Sequence, residues 1–403
     1  MSKRNSALDS LRGLSTILIV VYHISFVSGY TVAHANSSGA YIDRLNIGVA
    51  IFFVLSGFLI FRPFAHSLIH GSPLPKTRNY YLKRAARILP GYWLALFVLA
   101  GLDALTIVNT SGFIRNVFIV HSFTEHNVFT GIRQAWTLAI EMSFYVVVPA
   151  FAYVFVRQTK RRNGPVVVST LLKALSFLFL GAYAFRLFIH QIDFWFLDTA
   201  HIWLPSHMDT LALGMGLAVL VEAPASAKTL SKLKNFIANH TGAFVVSSVF
   251  VWLISANINM AIGLNRTEFH IDLLGHFLYG IASVLLVAPF CVDSQALLVK
   301  AVSFRLFTWL GTISYGIYLW HWIVFQLTRP SIDLVGDDWA LYALRVLIVF
   351  ALADISLRYI EIPVRRGYFE LWFRGMKYRT KAVRLRQKLS TVAAILLTLA
   401  ATS

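Results

Sequence analysis

The sequence predicts an all-α, polytopic membrane protein with ten core transmembrane helices and a short apolar eleventh segment. Three observations predict it. Apolar runs of bilayer-spanning length recur from one end of the 403-residue chain to the other, and a helix needs about 20 apolar residues to cross. The chain is 57% hydrophobic and 13% charged, with mean hydropathy +0.66, whereas a soluble domain is nearer 25% charged. Its lysines and arginines fall in the connections between the runs, as topogenic charge does.

The first run, Leu8 to Gly29, carries Asp9 and Arg12 near one end and His23 deep inside. Ionisable groups at that depth are costly and mark function by default. Eleven residues separate Arg12 from His23, so both lie on one helix face, about 16 Å apart along the axis. A cation near the mouth and an imidazole further in suit a ligand with an anionic head and a reactive tail. A snorkelling Arg and a His satisfied by a neighbouring helix are the plainer alternative. The run is long for a signal peptide, holds charge and lacks a small-residue cleavage site.

The remaining spans are expected at 45–64, 88–108, 136–156, 165–188, 206–222, 241–257, 271–290, 306–327 and 339–359. With the N-terminus in the cytoplasm, 27 Lys and Arg fall inside, 6 outside and 3 within spans, which fixes the orientation by the positive-inside rule. The pI near 10.1 therefore reflects topology and membrane lipid, not nucleic acid. Lone Cys291 excludes an internal disulfide. No polar stretch is long enough for a separate soluble fold, so residues 1–366 read as one transmembrane domain. Residues 367–403 read as a basic cytoplasmic tail ending in the short apolar segment 389–401.

Four further stretches carry chemistry. In the second span Ser56-Gly57 makes a notch that another helix or a ligand can approach closely. Lys83, Arg84 and Arg87 precede the third span, the two arginines at i, i+3 on one face; they suit phosphate or anionic lipid heads. Trp136 suits the outer interface, and Glu141 lies about a turn and a half further in, where a carboxylate is either protonated or paired. By depth, His23 is its natural partner. His207 and Asp209 open the sixth span after Arg186, His190, Asp193 and Asp198; this segment reads as a solvated outer mouth or an acceptor vestibule. Ser314, Tyr318 and His321 share a polar face at i, i+4, i+7, and Asp354 and Arg358 pair at i, i+4. His121 and His126 in the longest outer connection come without Cys or carboxylates, so no metal site is expected.

Taken in order, these motifs resemble the membrane acyltransferase-3 family. The stretches are Leu8-Asp-Ser-Leu-Arg-Gly13 with His23; Gly48 to Ile60; Arg84-Ala-Ala-Arg87 with Pro90 and Tyr92-Trp93; Trp136 to Glu141 with Phe144-Tyr145; Ser314 to His321; and Glu361-Ile-Pro363. They cover the chain from Leu8 to Arg366. The resemblance implies ten core spans and transfer of an acyl group, usually acetyl, from cytoplasmic acyl-CoA (acetyl-CoA) to a hydroxyl on a glycan, glycolipid or other glycosylated acceptor. It places the family's Arg-x10-His element on Arg12 and His23, its donor-linked Arg-x-x-Arg element on Arg84 and Arg87, and its Trp-Ser-Leu-x-x-Glu element on Trp136 and Glu141; donor contacts are therefore expected from Arg12, Arg84 and Arg87, with Lys83 beside them, and the reactive pair from His23 and Glu141. Thr137 stands where the family usually has Ser, and Ile323 where a proline often follows His-Trp, which affects the kink of that span. With no esterase-like domain after the spans, the chain is expected to act alone or pass its acyl group to another protein.

The expected mechanism makes neutral His23 the general base and Glu141 the group that fixes its tautomer. Trp136, His207, Asp209, Ser314 and Tyr315 are acceptor-site candidates, and an acyl-enzyme on Ser314, Tyr315 or another hydroxyl stands beside direct transfer. The location is the cell membrane; the sequence names neither acceptor nor oligomeric state. The rival class is a secondary transporter or flippase, in which the buried Asp, Glu and His would be relay groups. Against it, the halves show no related hydropathy.

Overall fold

The computed structural model describes residues 5–35, 37–102, 110–124, 130–162, 168–191, 199–258, 269–293, 295–329 and 339–367. Among them there is no strand. Eleven longer helices among the described residues carry the fold: α1 Ser6–Val27, α2 Ile47–His70, α3 Thr77–Gly101, α4 Trp136–Arg162, α5 Val168–Gln191, α6 Leu204–Glu222, α7 Lys228–Asn239, α8 Thr241–Asn257, α9 Phe269–Val292, α10 Arg305–Leu327 and α11 Trp339–Ser356.

Among the described residues every expected span overlaps a helix, with 103–108 and 165–167 of the expected spans lying outside them; α7, a short amphipathic helix, is the addition. Among the described residues, seven stretches are long and apolar enough to cross a membrane, and these include α1, α2, α4, α5, α6, α9 and α11. The count of ten would need α3, α8 and α10 as well. The first half of α3 carries Arg78, Lys83, Arg84 and Arg87. Helix α8 has 17 residues and is bent by 83° from α7. The apolar run of α10 is interrupted by Thr, Ser, Tyr and His. The expected short eleventh span at 389–401 lies outside the described residues.

The chain divides into two compact units. The first comprises Met1–Thr77 and Thr137–Ser314. Within it small residues set the closest helix approaches. A Cβ on Gly57 would stand 2.2 Å from the Leu211 carbonyl oxygen, and one on Gly214 2.0 Å from that of Val54. Backbone therefore touches backbone where α2 crosses α6, which is the role the Ser56-Gly57 notch suggests. A Cβ on Gly311 would lie 1.8 Å from the Asp9 carbonyl oxygen, and one on Gly13 2.5 Å from that of Phe307. This second contact seats the start of α1 on α10. The large side chains Phe58, Phe61, Phe64 and Phe290 are fully buried around these crossings.

The second unit comprises Arg78–Trp136 and Tyr315–Ser403. Here Gly316 faces Ala353, whose Cα would be 2.8 Å from an added Cβ, so α10 and α11 pack tightly. Arg345 of α11 is almost fully buried at 1% exposure. Its Nη2 donates to the Phe325 carbonyl at 2.9 Å, its Nε to Thr328 Oγ1 at 3.1 Å, and its guanidinium lies 5.0 Å from the Phe325 ring centre. Asp354 and Arg358 form the expected pair at 2.6 Å, with the arginine side chain 64% exposed.

Gly311→Ala should displace the start of α1, because the new methyl has no room against the Asp9 carbonyl. We expect a lower melting temperature in detergent than for the parent and for Gly216→Ala, whose Cβ meets nothing within 4 Å. Equal melting of all three proteins would show that this contact is not tight.

Candidate active site

Helix α1 runs unbroken from Ser6 to Val27, so it carries Arg12 and His23 on one stripe as the spacing requires. Its first turn is pinned at several points. The Asn5 side chain accepts from the Ala7 N–H at 3.1 Å, a standard N-terminal cap. Ser10 Oγ lies 3.1 Å from Thr308 Oγ1 of α10. Asp9 is 3% exposed and takes Arg12 Nη1 at 3.4 Å; near a helix N-terminus a carboxylate is favourable. Arg12 is thus held beside a buried countercharge. His23 is half-buried, its ring centre 4.8 Å from that of Tyr22.

Trp136 and Thr137 open α4 and are half-buried. Glu141, also half-buried, accepts a short hydrogen bond from the Tyr145 hydroxyl one turn on. Tyr145 belongs to the same motif, and its hydroxyl orients the carboxylate.

Arg84, Arg87 and Lys83 lie in the second unit, on α3. Lys83 is exposed and both arginines are half-buried. The Arg84 guanidinium lies 5.6 Å from the Tyr80 ring centre, an arrangement that holds the fork in place. Arg87 lies close enough for its charge to act on the carboxylate of Glu361. That carboxylate is a group the sequence reading quoted within a motif but did not assign. Glu361 is 1% exposed and sits at the end of a π-helical turn, Leu357–Glu361. Its Oε2 takes Arg365 Nη2 at 2.5 Å, and its Oε1 would lie 3.5 Å from a Cβ on Gly91. Tyr315 completes this group, donating to the Ile88 carbonyl at 2.7 Å. The basic start of α3 therefore meets a buried acid, and π-turns are frequent at functional sites. The signal was available in Glu361-Ile-Pro363: an acid inside an apolar helix, two residues before Pro.

Ser314 donates to the Gly311 carbonyl at 3.0 Å, within its own helix. His321 Nδ1 meets the Ile317 carbonyl at 2.9 Å, and Tyr318 donates to the Gln134 carbonyl. The polar face of α10 is thus largely spent on backbone carbonyls, the helix-bonding role.

His207 and Asp209 do not line a solvated mouth. They are 8% and 1% exposed, and Arg186 is 5% exposed. Arg186 grips Asp209 with both terminal nitrogens, at 3.0 and 3.2 Å, and also donates to the Ser206 carbonyl. The His207 ring centre is 5.2 Å from Phe53 and 6.1 Å from His276. This is a buried polar knot joining α5 to α6. Asp193 and Asp198, expected alongside, lie outside the described residues.

Comparison with known proteins bears on the chain as a whole. A family model described as an acyltransferase domain matches residues 5–358. The peptidoglycan O-acetyltransferase OatA of Listeria monocytogenes is 25% identical over 393 residues, which is 92% of this chain and 57% of that protein. Bacillus subtilis YrhL, named a putative peptidoglycan O-acetyltransferase, is 26% identical over 387 residues, 91% of this chain and 56% of that protein. The chain thus spans somewhat more than half the length of these curated relatives. No solved structure matches it.

The connection that follows α3 is anchored to it. Tyr92 donates to the Asn116 carbonyl at 2.8 Å and Trp93 Nε1 to the Val117 carbonyl at 3.0 Å, capping the short helix Thr110–Val117. Ile119 then turns with φ 59, a left-handed conformation costly for a β-branched residue. His121 follows, 0% exposed, with no hydrogen-bond partner for either ring nitrogen among the described residues. Burial holds its pKa down to about 4, from an ordinary 6.5. His126 lies outside the described residues.

Because the folded pKa of His121 is depressed, the unfolded chain takes up the proton first. Stability from this residue is full above about pH 6.5 and falls as pH drops towards 4. His121→Leu should remove that acid loss, worth up to about 3 kcal/mol. Melting temperatures in detergent between neutral and acid pH would test it; parallel curves for parent and variant would assign the acid response elsewhere.

Proposed function

The chain belongs to the membrane acyltransferase-3 family, and from that premise we propose that it is an O-acetyltransferase of the cell envelope. In this reading it moves an acetyl group from cytoplasmic acetyl-CoA to a hydroxyl of an envelope glycan on the other side of the membrane. The relatives' names specify peptidoglycan, so a peptidoglycan sugar hydroxyl is the acceptor proposed. The observation that carries the reading is α1: one unbroken helix with a basic residue near its mouth and an imidazole about three turns further in, inside a chain matched from residue 5 to 358.

Arg84 and Arg87, with Lys83 beside them, would bind the donor's phosphates, since guanidinium forks match phosphate oxygens. Arg12 would lie nearer the pantetheine arm. Neutral His23 would take the proton from the acceptor hydroxyl as its oxygen attacks the thioester carbonyl. The new C–O bond forms, the C–S bond breaks, and the proton passes to the departing thiolate. Glu141, oriented by Tyr145, would fix the imidazole tautomer and stabilise the imidazolium. Direct transfer is favoured over an acyl-enzyme, because the Ser314 and Tyr315 hydroxyls already donate to backbone carbonyls.

General-base catalysis contributes about 10²–10⁴-fold. His23→Ala should lose acetyl transfer from radiolabelled acetyl-CoA on that scale while coenzyme A still binds; near-normal turnover by the folded variant would remove His23 from the chemistry. Arg84→Ala should weaken coenzyme A binding in calorimetry. Arg87→Ala should do the same and also lower the melting temperature, because Arg87 balances buried Glu361. Unchanged affinity in both variants would overturn the phosphate role.

A further inference from the structure

A cluster of side chains in the first unit belongs to none of the chemistry above. His66 and His70 stand at i, i+4 on the last turns of α2, so both rings leave the same helix face. Glu222, the last residue of α6, meets them. Its Oε2 lies 2.8 Å from His66 Nδ1 and 3.9 Å from His70 Nε2. One ligand atom from each of the three residues falls within 4.8 Å of the others. The two imidazole ring centres are 4.7 Å apart.

The geometry points to a binding site for a divalent transition-metal ion, zinc or a close analogue, held by His66, His70 and Glu222. Two histidines at i, i+4 on one helix are a recurrent way to present a metal with two nitrogens. Two imidazoles and a carboxylate form a ligand set with room left for water, and it suits zinc, cobalt or nickel better than calcium or magnesium. Closing three ligand atoms from 4.8 Å onto one ion takes rotamer adjustment only, because both histidine side chains are about half exposed.

The carboxylate is already aimed. Arg62 Nε bonds its Oε1 at 2.7 Å, and the Glu222 side chain is only 12% exposed. That leaves Oε2 facing the two rings, and such a bond to the far oxygen orients a ligating carboxylate. The helices are preset as well. Gly57 and Gly214 cross at backbone contact, nine residues before His66 and eight before Glu222, so the two helix ends arrive side by side at similar height. A bound ion would fasten the end of α2 to the end of α6. Arg62 beside the site also repels a cation, so the affinity expected is micromolar rather than tighter. This inference stands independently of the acyl-transfer reading.

The test uses the full-length protein in detergent, stripped with chelator. Zinc is titrated in competition with a chromophoric chelator, and cobalt is titrated by its visible absorption. One equivalent of zinc at micromolar affinity is expected, and the double variant His66→Ala, His70→Ala should bind it at least ~10-fold more weakly. X-ray absorption of the zinc-loaded parent gives a check that needs no variant: two imidazoles with oxygen ligands are expected. No binding up to millimolar zinc, undiminished binding by the double variant, or a sulfur ligand from Cys291 would each overturn the site.

Discussion

An ionised side chain taken out of water must find its compensation within a few ångströms, and this constraint organises both units. Asp9 takes Arg12, Asp43 takes Arg44 at 2.6 Å, and Asp209 takes Arg186. Glu361 takes Arg365. Arg345 has a carbonyl, a hydroxyl and two aromatic faces. Removing one member of such a pair leaves a buried charge alone, at about 3–5 kcal/mol. Pairing close in sequence is the commonest solution: Asp9–Arg12, Asp354–Arg358 and Glu361–Arg365 all lie within one turn.

The same constraint separates side chains that hold helices together from those left for chemistry. Asp209 and Arg186 satisfy each other with two nitrogens on two oxygens, which fits them to join α5 to α6 more than to meet a substrate. Arg84 lies over the Tyr80 ring, its guanidinium 5.6 Å from the ring centre, a contact that steadies a long side chain without neutralising it. Arg87 acts on Glu361 through its charge, while the ion pair of that carboxylate is made by Arg365. The proposed chemistry therefore asks least of the groups most heavily committed to packing.

The sequence made the helices legible because apolar runs bounded by charge have one solution in a membrane. The Arg12–His23 stripe was legible for a related reason: no Pro or Gly pair breaks α1, so the period holds over eleven residues. Distant partners were not legible. Asp209 and Arg186 are 23 residues apart across a connection, and their residue types read equally well as a wet vestibule. His66 and His70 announce a shared face, but Glu222 lies more than 150 positions further on and only the α2–α6 crossing brings it there. The capping role of Tyr92 and Trp93 likewise needed the short helix Thr110–Val117, which has no periodicity long enough to stand out.

The wide turn at Leu357–Glu361 resets the phase of the last helix. In an uninterrupted α-helix, positions 354 and 361 would lie within about 20° of one another. Asp354 is half-buried and its partner Arg358 is exposed, and on that count Glu361 should lie on the same flank. Five residues wound more loosely swing it by roughly a quarter-turn, from the side where Arg358 is bathed to the side where the carboxylate is sealed at 1% exposure. One locally unwound turn thus lets a single rod show a charged flank to its surroundings and hide an acid against α3, something strict helical repetition would forbid.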